Sequence, residues 1–228
     1  MPVIDFTEIP QANVGGGSQD TFELFARDFL AASGYSIEED PSRGTDRGKD
    51  LLVSETLTGI VQPKKRRWVV SCKHYAHSSG AVGDGDESDI VGRVRKFKAD
   101  GFMAFYSTIP SSSLMQTLTG HKGEIDIEDW DREKIEGRLI TDPKLQTVFE
   151  RYFPASYREW RQRQLKDKLV SQVLKGKEQE KIELTLEDGA ILLEGIERIQ
   201  MTANEWNNIF PTWPTLLPTG KPLGFVQK

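Results

Sequence analysis

Four residues of types that can do chemistry occur in a suggestive order: Glu23, Asp50, Ser71 and Lys73. In the run Trp68-Val69-Val70-Ser71-Cys72-Lys73, period-two alternation places Val69, Ser71 and Lys73 on one face of a strand, with Val70 and Cys72 on the other. An ammonium closing an otherwise apolar strand is costly without a partner. Asp50, opening Asp50-Leu51-Leu52-Val53, could face it, and Glu23, beside a helical apolar stripe, could lean over the sheet edge. Two carboxylates and a lysine around one point suit metal-assisted phosphodiester hydrolysis. A hard divalent cation takes oxygen ligands and keeps several waters. It lowers the pKa of a bound water and neutralises charge developing on phosphate, while a lysine orients the attacking water or stabilises the crowded phosphorus. On this reading Asp50 and the backbone carbonyl of Cys72 are direct ligands. Glu23 ligates through water or holds a second ion, and Ser71 points into the site. The plainer reading makes Asp50 and Lys73 an ion pair at a sheet end and Glu23 an ordinary exposed glutamate.

Other groups invite weaker readings. Lys64, Lys65, Arg66 and Arg67 form the densest basic run, either a solvated hairpin tip or a contact for phosphates flanking a cut. Arg93 invites the same pair of readings, and His74 is either a phosphate contact or a surface residue after the strand. Cys72, His74 and His77 have no second pair at zinc-site spacing, and the Cys72 thiol reads as a core group. Gly15 to Gly17 precede a helix, but no Lys-Ser/Thr follows to make a nucleotide loop.

The elements that must position these residues follow from periodicity. Phe22, Phe25, Ala26, Phe29 and Leu30 fall at i, i+3, i+4, i+7 and i+8, one helical stripe, with Ser18 or Asp20 as cap and Gly34 as stop. The stretch from Glu38 to Asp50 reads as a polar loop. The runs at 50–53 and 68–72 form a hairpin. A helix over 89–98 leads into Gly101–Tyr106, a continuous apolar run of the kind found in buried parallel strands. Further elements are a helix at 111–118, a strand at 124–127 and a helix at 131–138. This order predicts an α/β fold with a mixed sheet. Composition shifts near Phe153-Pro154: residues 151–181 hold nine Lys or Arg against four Asp or Glu, with a basic helix over 157–176. Ile182–Leu186 and Ile191–Ile196 alternate around Glu187-Asp188-Gly189, a hairpin signal, and four prolines mark the last eighteen residues.

The chain has 228 residues, 37% of them hydrophobic, and a formal net charge of −5, which fits a globular protein of one domain with an appendage. One cysteine excludes a disulfide scaffold. No apolar run approaches the roughly 20 residues that span a bilayer, and no basic-then-apolar leader opens the sequence; a cytoplasmic protein is expected. Net acidity argues against non-specific coating of nucleic acid but not against a local basic groove.

The run TFELFARDFLAASGYSIEED, then GTDRGKDLLV, WVVSCKHYAHSSGAV and DIVGRVRKFKADGFMAFYST, resembles the Mrr-like branch of the PD-(D/E)xK restriction endonuclease superfamily. The resemblance implies a restriction-endonuclease-like mixed central sheet flanked by helices, over residues 1–153. Residues 154–228 are then an extension of helix, β-hairpin and proline-rich tail, serving DNA contact or dimerisation. It also implies a Mg²⁺-dependent DNA endonuclease, with Mn²⁺ as a substitute, DNA as partner, a homodimer, no membrane and no organic cofactor, acting in restriction or phage defence. Glu23 matches the family's helix glutamate, Asp50 its metal-binding aspartate and Lys73 its catalytic lysine. Ser71 stands where the family has Glu or Gln, a shorter and neutral ligand for which Glu23 or Asp46 would have to compensate. That departure motivates an alternative: a nuclease-fold module, weak or inactive in cutting, that binds nucleic acid or a partner protein.

Overall fold

The structure is a computed structural model of the whole chain, and it describes residues 2–12, 20–41, 49–59, 62–78 and 80–175, with side chains to 167. Asp46, Gly15–Gly17, Ser18, the hairpin expected at 182–196 and the proline-rich end lie outside the described residues. The chain divides into two units, Met1–Tyr157 and Arg158–Lys228.

The first unit is built on five strands, β1 (Ser36–Glu39), β2 (Leu51–Leu57), β3 (Lys64–Lys73), β4 (Gly101–Tyr106) and β5 (Asp126–Trp130). They lie side by side in sequence order. The first two pairings are antiparallel and the last two parallel. The parallel strands need crossover helices. These are α2 (Ile90–Lys96) between β3 and β4, and α3 (Ser112–Gly120) between β4 and β5. The mixed sheet with flanking helices is the fold class expected from the sequence.

Each face of the sheet has its own apolar layer. Leu52, Val69, Phe102, Ala104 and Tyr106 pack with Ile90 and Val94 of α2 and Leu114 and Leu118 of α3. On the other face lies α1 (Thr21–Ala32). Its Phe22, Phe25 and Phe29 rings each sit within 6 Å of the Phe105 ring of β4. All three phenylalanines are fully buried, worth up to about 3 kcal/mol each. Asp20 caps α1 by accepting the Phe22 N–H, and Gly34 ends it at φ +103°, a left-handed conformation glycine adopts without steric cost. Gly101 is required for a different reason. A Cβ there would meet the Trp68 ring and the Asp126 carbonyl oxygen at 2.6 Å, so β4 could not draw between β3 and β5.

Four local readings differ from the sequence expectation. Ser36–Glu39 is a strand, although its end was read as loop; a four-residue edge strand offers too few alternating positions to declare itself. The basic run Lys64–Arg67 is the first part of β3 rather than a hairpin tip, because Lys64 to Arg67 pair in register with Leu57 to Ser54. A helix, α5 (Gln146–Tyr152), follows α4 (Arg132–Thr141) where none was expected. The basic helix, α6, runs Pro154–Lys175 and starts earlier than its periodicity shows. Proline suits the first helical position, and the Glu8 carboxylate accepts from the Ala155 and Ser156 N–H groups. Within the second unit's part of α6, Arg163 pairs with Glu159 at 3.2 Å.

The residues before α1 form an N-terminal strap, with Ile4, Phe6 and Ile9 buried. Glu136 of α4 accepts the Val3 and Ile4 N–H groups, and the Ser156 hydroxyl accepts that of Asp5.

Candidate active site

The site is built at the end of β3. Leu51 of β2 faces Val70, the last pair of the β2–β3 register, and Asp50 lies just before the strand. Alternation puts Ser71 and Lys73 on the face of Val69, the one covered by α2 and α3. Asp50 is anchored twice. Its N–H donates to the Val70 carbonyl at 3.0 Å, and its Oδ2 accepts the Cys72 N–H at 2.5 Å. In a strand, the N–H and C=O of one residue point to the same side. The Cys72 carbonyl is therefore directed to the same edge as the Asp50 carboxylate. The Lys73 carbonyl turns the other way and accepts the Ser107 N–H at 3.1 Å. The sequence alone could not show this hydrogen bond between Asp50 and Cys72. It fixes the carboxylate beside the carbonyl with which it was expected to share an ion.

Glu23 reaches the same strand end from the opposite face, on the first turn of α1. The Cys72 thiol records the convergence. Burial pushes its pKa well above the ordinary value, the negative charges of Asp50, Glu23 and Asp20 push it further, and Lys73 opposes them. Three carboxylates and one ammonium thus lie close enough to the sulfur for their charge to be felt there. Cys72 remains a protonated core thiol. Ser71 is buried, at 2% exposure.

Asp20 and Asp86 were not anticipated at this edge. Asp20 had been read only as a cap. Asp86 accepts from the Tyr75 hydroxyl at 2.5 Å and the Gly83 N–H at 2.7 Å. These bonds, Tyr75 first, hold its carboxyl below the usual carboxylate range, with the charge of Lys73 adding to the effect. Nothing in the spacing of Gly83-Asp84-Gly85-Asp86 signals this, since the contact depends on a loop folding back onto the residues after β3.

The structure brings Glu23, Asp50, Ser71 and Lys73 to one strand end, with His74 directly after it, and places the basic run Lys64–Arg67 away from it. Arg67 is six residues before Lys73, about 20 Å along an extended strand, and Lys64, Lys65 and Arg66 are farther. Arg67 bonds Glu38 and the carbonyls of Phe97 and Lys98. Lys65 pairs with Glu38 at 2.5 Å, and Arg66 with Asp126 at 3.3 Å. Arg93 is held by the buried Glu87 carboxylate and lies over the Phe102 ring. His74 stacks on Phe22 at 4.7 Å. The Nε2 atoms of His74 and His77 both meet the Ile9 carbonyl, at 2.9 and 2.8 Å, so these histidines fasten the strap.

Oxygen donors dominate the strand end. A carboxylate, a backbone carbonyl and a neighbouring glutamate fit a hard cation that keeps part of its water shell. Among the described residues no three His, Cys, Asp or Glu side chains are grouped to enclose an ion, so such a cation would rely on the Cys72 carbonyl and on water. Asp50 and Cys72 are the direct ligands this geometry offers. Residues 17–109 match the restriction endonuclease family Mrr_cat. The Mrr-type match takes in Glu23, Asp50, Ser71 and Lys73 together, with four of the five strands. No curated protein matches the chain. Solved structures similar to it include the DNA modification-dependent restriction endonuclease AspBHI, with TM-score 0.41 and 14% identity over 60% of this chain and 34% of that one. Another is the MspJI restriction endonuclease in complex with a 27-mer oligonucleotide, with TM-score 0.45 and 12% identity over 59% and 32%. The chain spans about a third of the length of each.

Proposed function

We propose that the chain is a metal-dependent DNA endonuclease, using Mg²⁺ with Mn²⁺ as a substitute, and that it serves restriction or phage defence as a homodimer in the cytoplasm. The observation that carries the reading is the anchoring of Asp50 to the Cys72 N–H beside Lys73, within the segment that matches the restriction endonuclease family. A bound cation would supply an activated water and neutralise charge on the scissile phosphate. Asp50 and the Cys72 carbonyl would hold it, and Glu23 would add negative charge favouring it. The Lys73 ammonium donates to a non-bridging phosphate oxygen and orients the attacking water. Ser71 contributes a hydroxyl where a carboxylate or amide is usual in this family, so tight binding of the cation needs the phosphate as a further ligand. Residues 154–228 form an extension for DNA contact or dimerisation.

Ser71 also favours a second reading, a nuclease-fold module that binds nucleic acid or a partner protein without cutting. Purified protein incubated with supercoiled plasmid and either Mg²⁺ or Mn²⁺ separates the two. The nuclease reading expects nicked and linear products that disappear with Lys73→Ala. DNA binding without cleavage in any metal would establish the second reading.

A further inference from the structure

The edge that carries Lys73 continues past β4 into a cavity of about 300 Å³. It is walled by Asp5, Phe6 and Thr7 of the strap, Ala76 with Gly80 and Ala81, Thr108 and Ile109 after β4, and Arg132 at the start of α4. Lys73 is level with Tyr106 in the β3–β4 register, and Phe105 is level with Trp130 in the next. Arg132 therefore emerges two strands from Lys73, at roughly 10 Å given the usual strand spacing.

One polar group in this cavity is not satisfied by the chain, and a second keeps donors to spare. The Thr108 hydroxyl oxygen is buried with no hydrogen-bond partner. The Arg132 guanidinium makes a long 3.5 Å contact to the Ile4 carbonyl and lies over the Phe6 ring, 5.9 Å from its centroid. Neither contact neutralises it, and the Asp5 carboxylate in the same lining lies near enough for the Arg132 charge to help lower its pKa. Asp5, at the exposed rim, has its Oδ1 occupied by the Thr7 N–H and hydroxyl at 3.0 and 2.7 Å. An arginine with open donors beside an unsatisfied buried hydroxyl calls for a ligand rich in acceptor oxygens, and a buried polar group left unpaired costs about 1–3 kcal/mol. Arginine presents a planar fork that matches phosphate.

We propose that this cavity is a subsite for a phosphodiester of the nucleic-acid strand, a few nucleotides from the bond held at Lys73, with Arg132 and Thr108 as its binding residues. The inference rests on the nuclease reading and deepens it: the substrate is a polynucleotide gripped on both sides of β4, so a mononucleotide ester is a poor substitute. Glu23, Asp50 and Lys73 do the chemistry, and Arg132 holds a phosphate that does not react.

The test is duplex binding by the full chain without divalent metal, followed as the logarithm of affinity against the logarithm of salt concentration. Each neutralised phosphate contributes about 0.9 to the slope. Arg132→Gln is expected to reduce the slope by about one and to weaken binding about eightfold at 0.1 M salt. Arg132→Lys should restore the slope, and Thr108→Val, similar in shape, should weaken binding severalfold with the slope unchanged. With metal present, Arg132→Gln should raise KM and leave kcat alone. Thermal melts exclude loss of fold as the cause. An unchanged slope in a folded Arg132→Gln protein overturns the subsite while leaving the nuclease reading intact. Absence of salt-dependent binding in the unaltered protein overturns both.

Discussion

Asp50 has a structural task, shown by its bond to the Cys72 N–H, and a proposed chemical one, and two substitutions separate them. Asp50→Asn keeps an oxygen to accept the Cys72 N–H but removes the negative charge. It is expected to melt within a few degrees of the parent and to lose metal-dependent cleavage. Asp50→Ala also leaves that N–H unpaired and should cost a further 1–2 kcal/mol or about that in denaturant unfolding. A second prediction concerns His74. Burial lowers its pKa, against an opposing bond to the Ile9 carbonyl. The folded chain thus binds a proton less readily than the unfolded one. Stability is full above the unfolded value near 6.5 and falls as pH drops from there through the folded pKa. His74→Gln should flatten that part of the stability profile. At this scale the sequence is informative where residue type and order stand out, as they do for Glu23, Asp50, Ser71 and Lys73. It is silent on Asp86 and on the Arg132–Thr108 pair, whose roles come from loops meeting far from their own strands.

At the scale of elements, a basic run need not face solvent alone. Lys65 and Arg67 converge on Glu38 of β1, joining the edge strand to β3 across β2. The Lys65 bond, against an opposing effect of burial, and the Arg67 bond hold the Glu38 pKa near about 2. A depressed carboxyl pKa contributes stability that is present above the unfolded value near 4.5 and lost as pH falls from there towards 2. Lys65 is largely exposed, so solvent screens its share. Glu38→Gln should remove about 1 kcal/mol at pH 7 and reduce the steepness of acid unfolding. Arg93 gives a sharper contrast with its expected role on DNA. Glu87 is fully enclosed and accepts from Arg93 and from the Tyr106 hydroxyl at 2.8 Å. Arg93→Ala leaves a buried carboxylate with only the tyrosine and should cost about 3 kcal/mol, read as a fall in melting temperature. Lys64→Ala should change neither stability nor cleavage. The long elements were legible because Phe22 to Leu30 and Gly101 to Tyr106 show clean apolar patterns; β1 and α5 are too short for periodicity to outweigh tertiary pairing.

For the whole molecule, the sheet gathers Glu23, Asp50, Lys73 and the Arg132 cavity towards one end. The strap closes that end from the α1 side. Phe6 packs edge-on against Phe153 at 5.2 Å, so Phe6→Ala should cost about 3–5 kcal/mol and loosen the cavity with it, seen as faster amide exchange through the strap and after β4. The match over residues 17–109 ends before α4 and α6. No described helix is long and apolar enough to cross a membrane. The most direct measurement of the central claim is a crystal of the protein soaked in Mn²⁺ and read by anomalous scattering. The account predicts a peak about 2.0–2.3 Å from an Asp50 carboxylate oxygen and the Cys72 carbonyl oxygen, typical of a small divalent ion, with Lys73 alongside. A fully active protein whose only manganese peak lies away from Asp50 would contradict it.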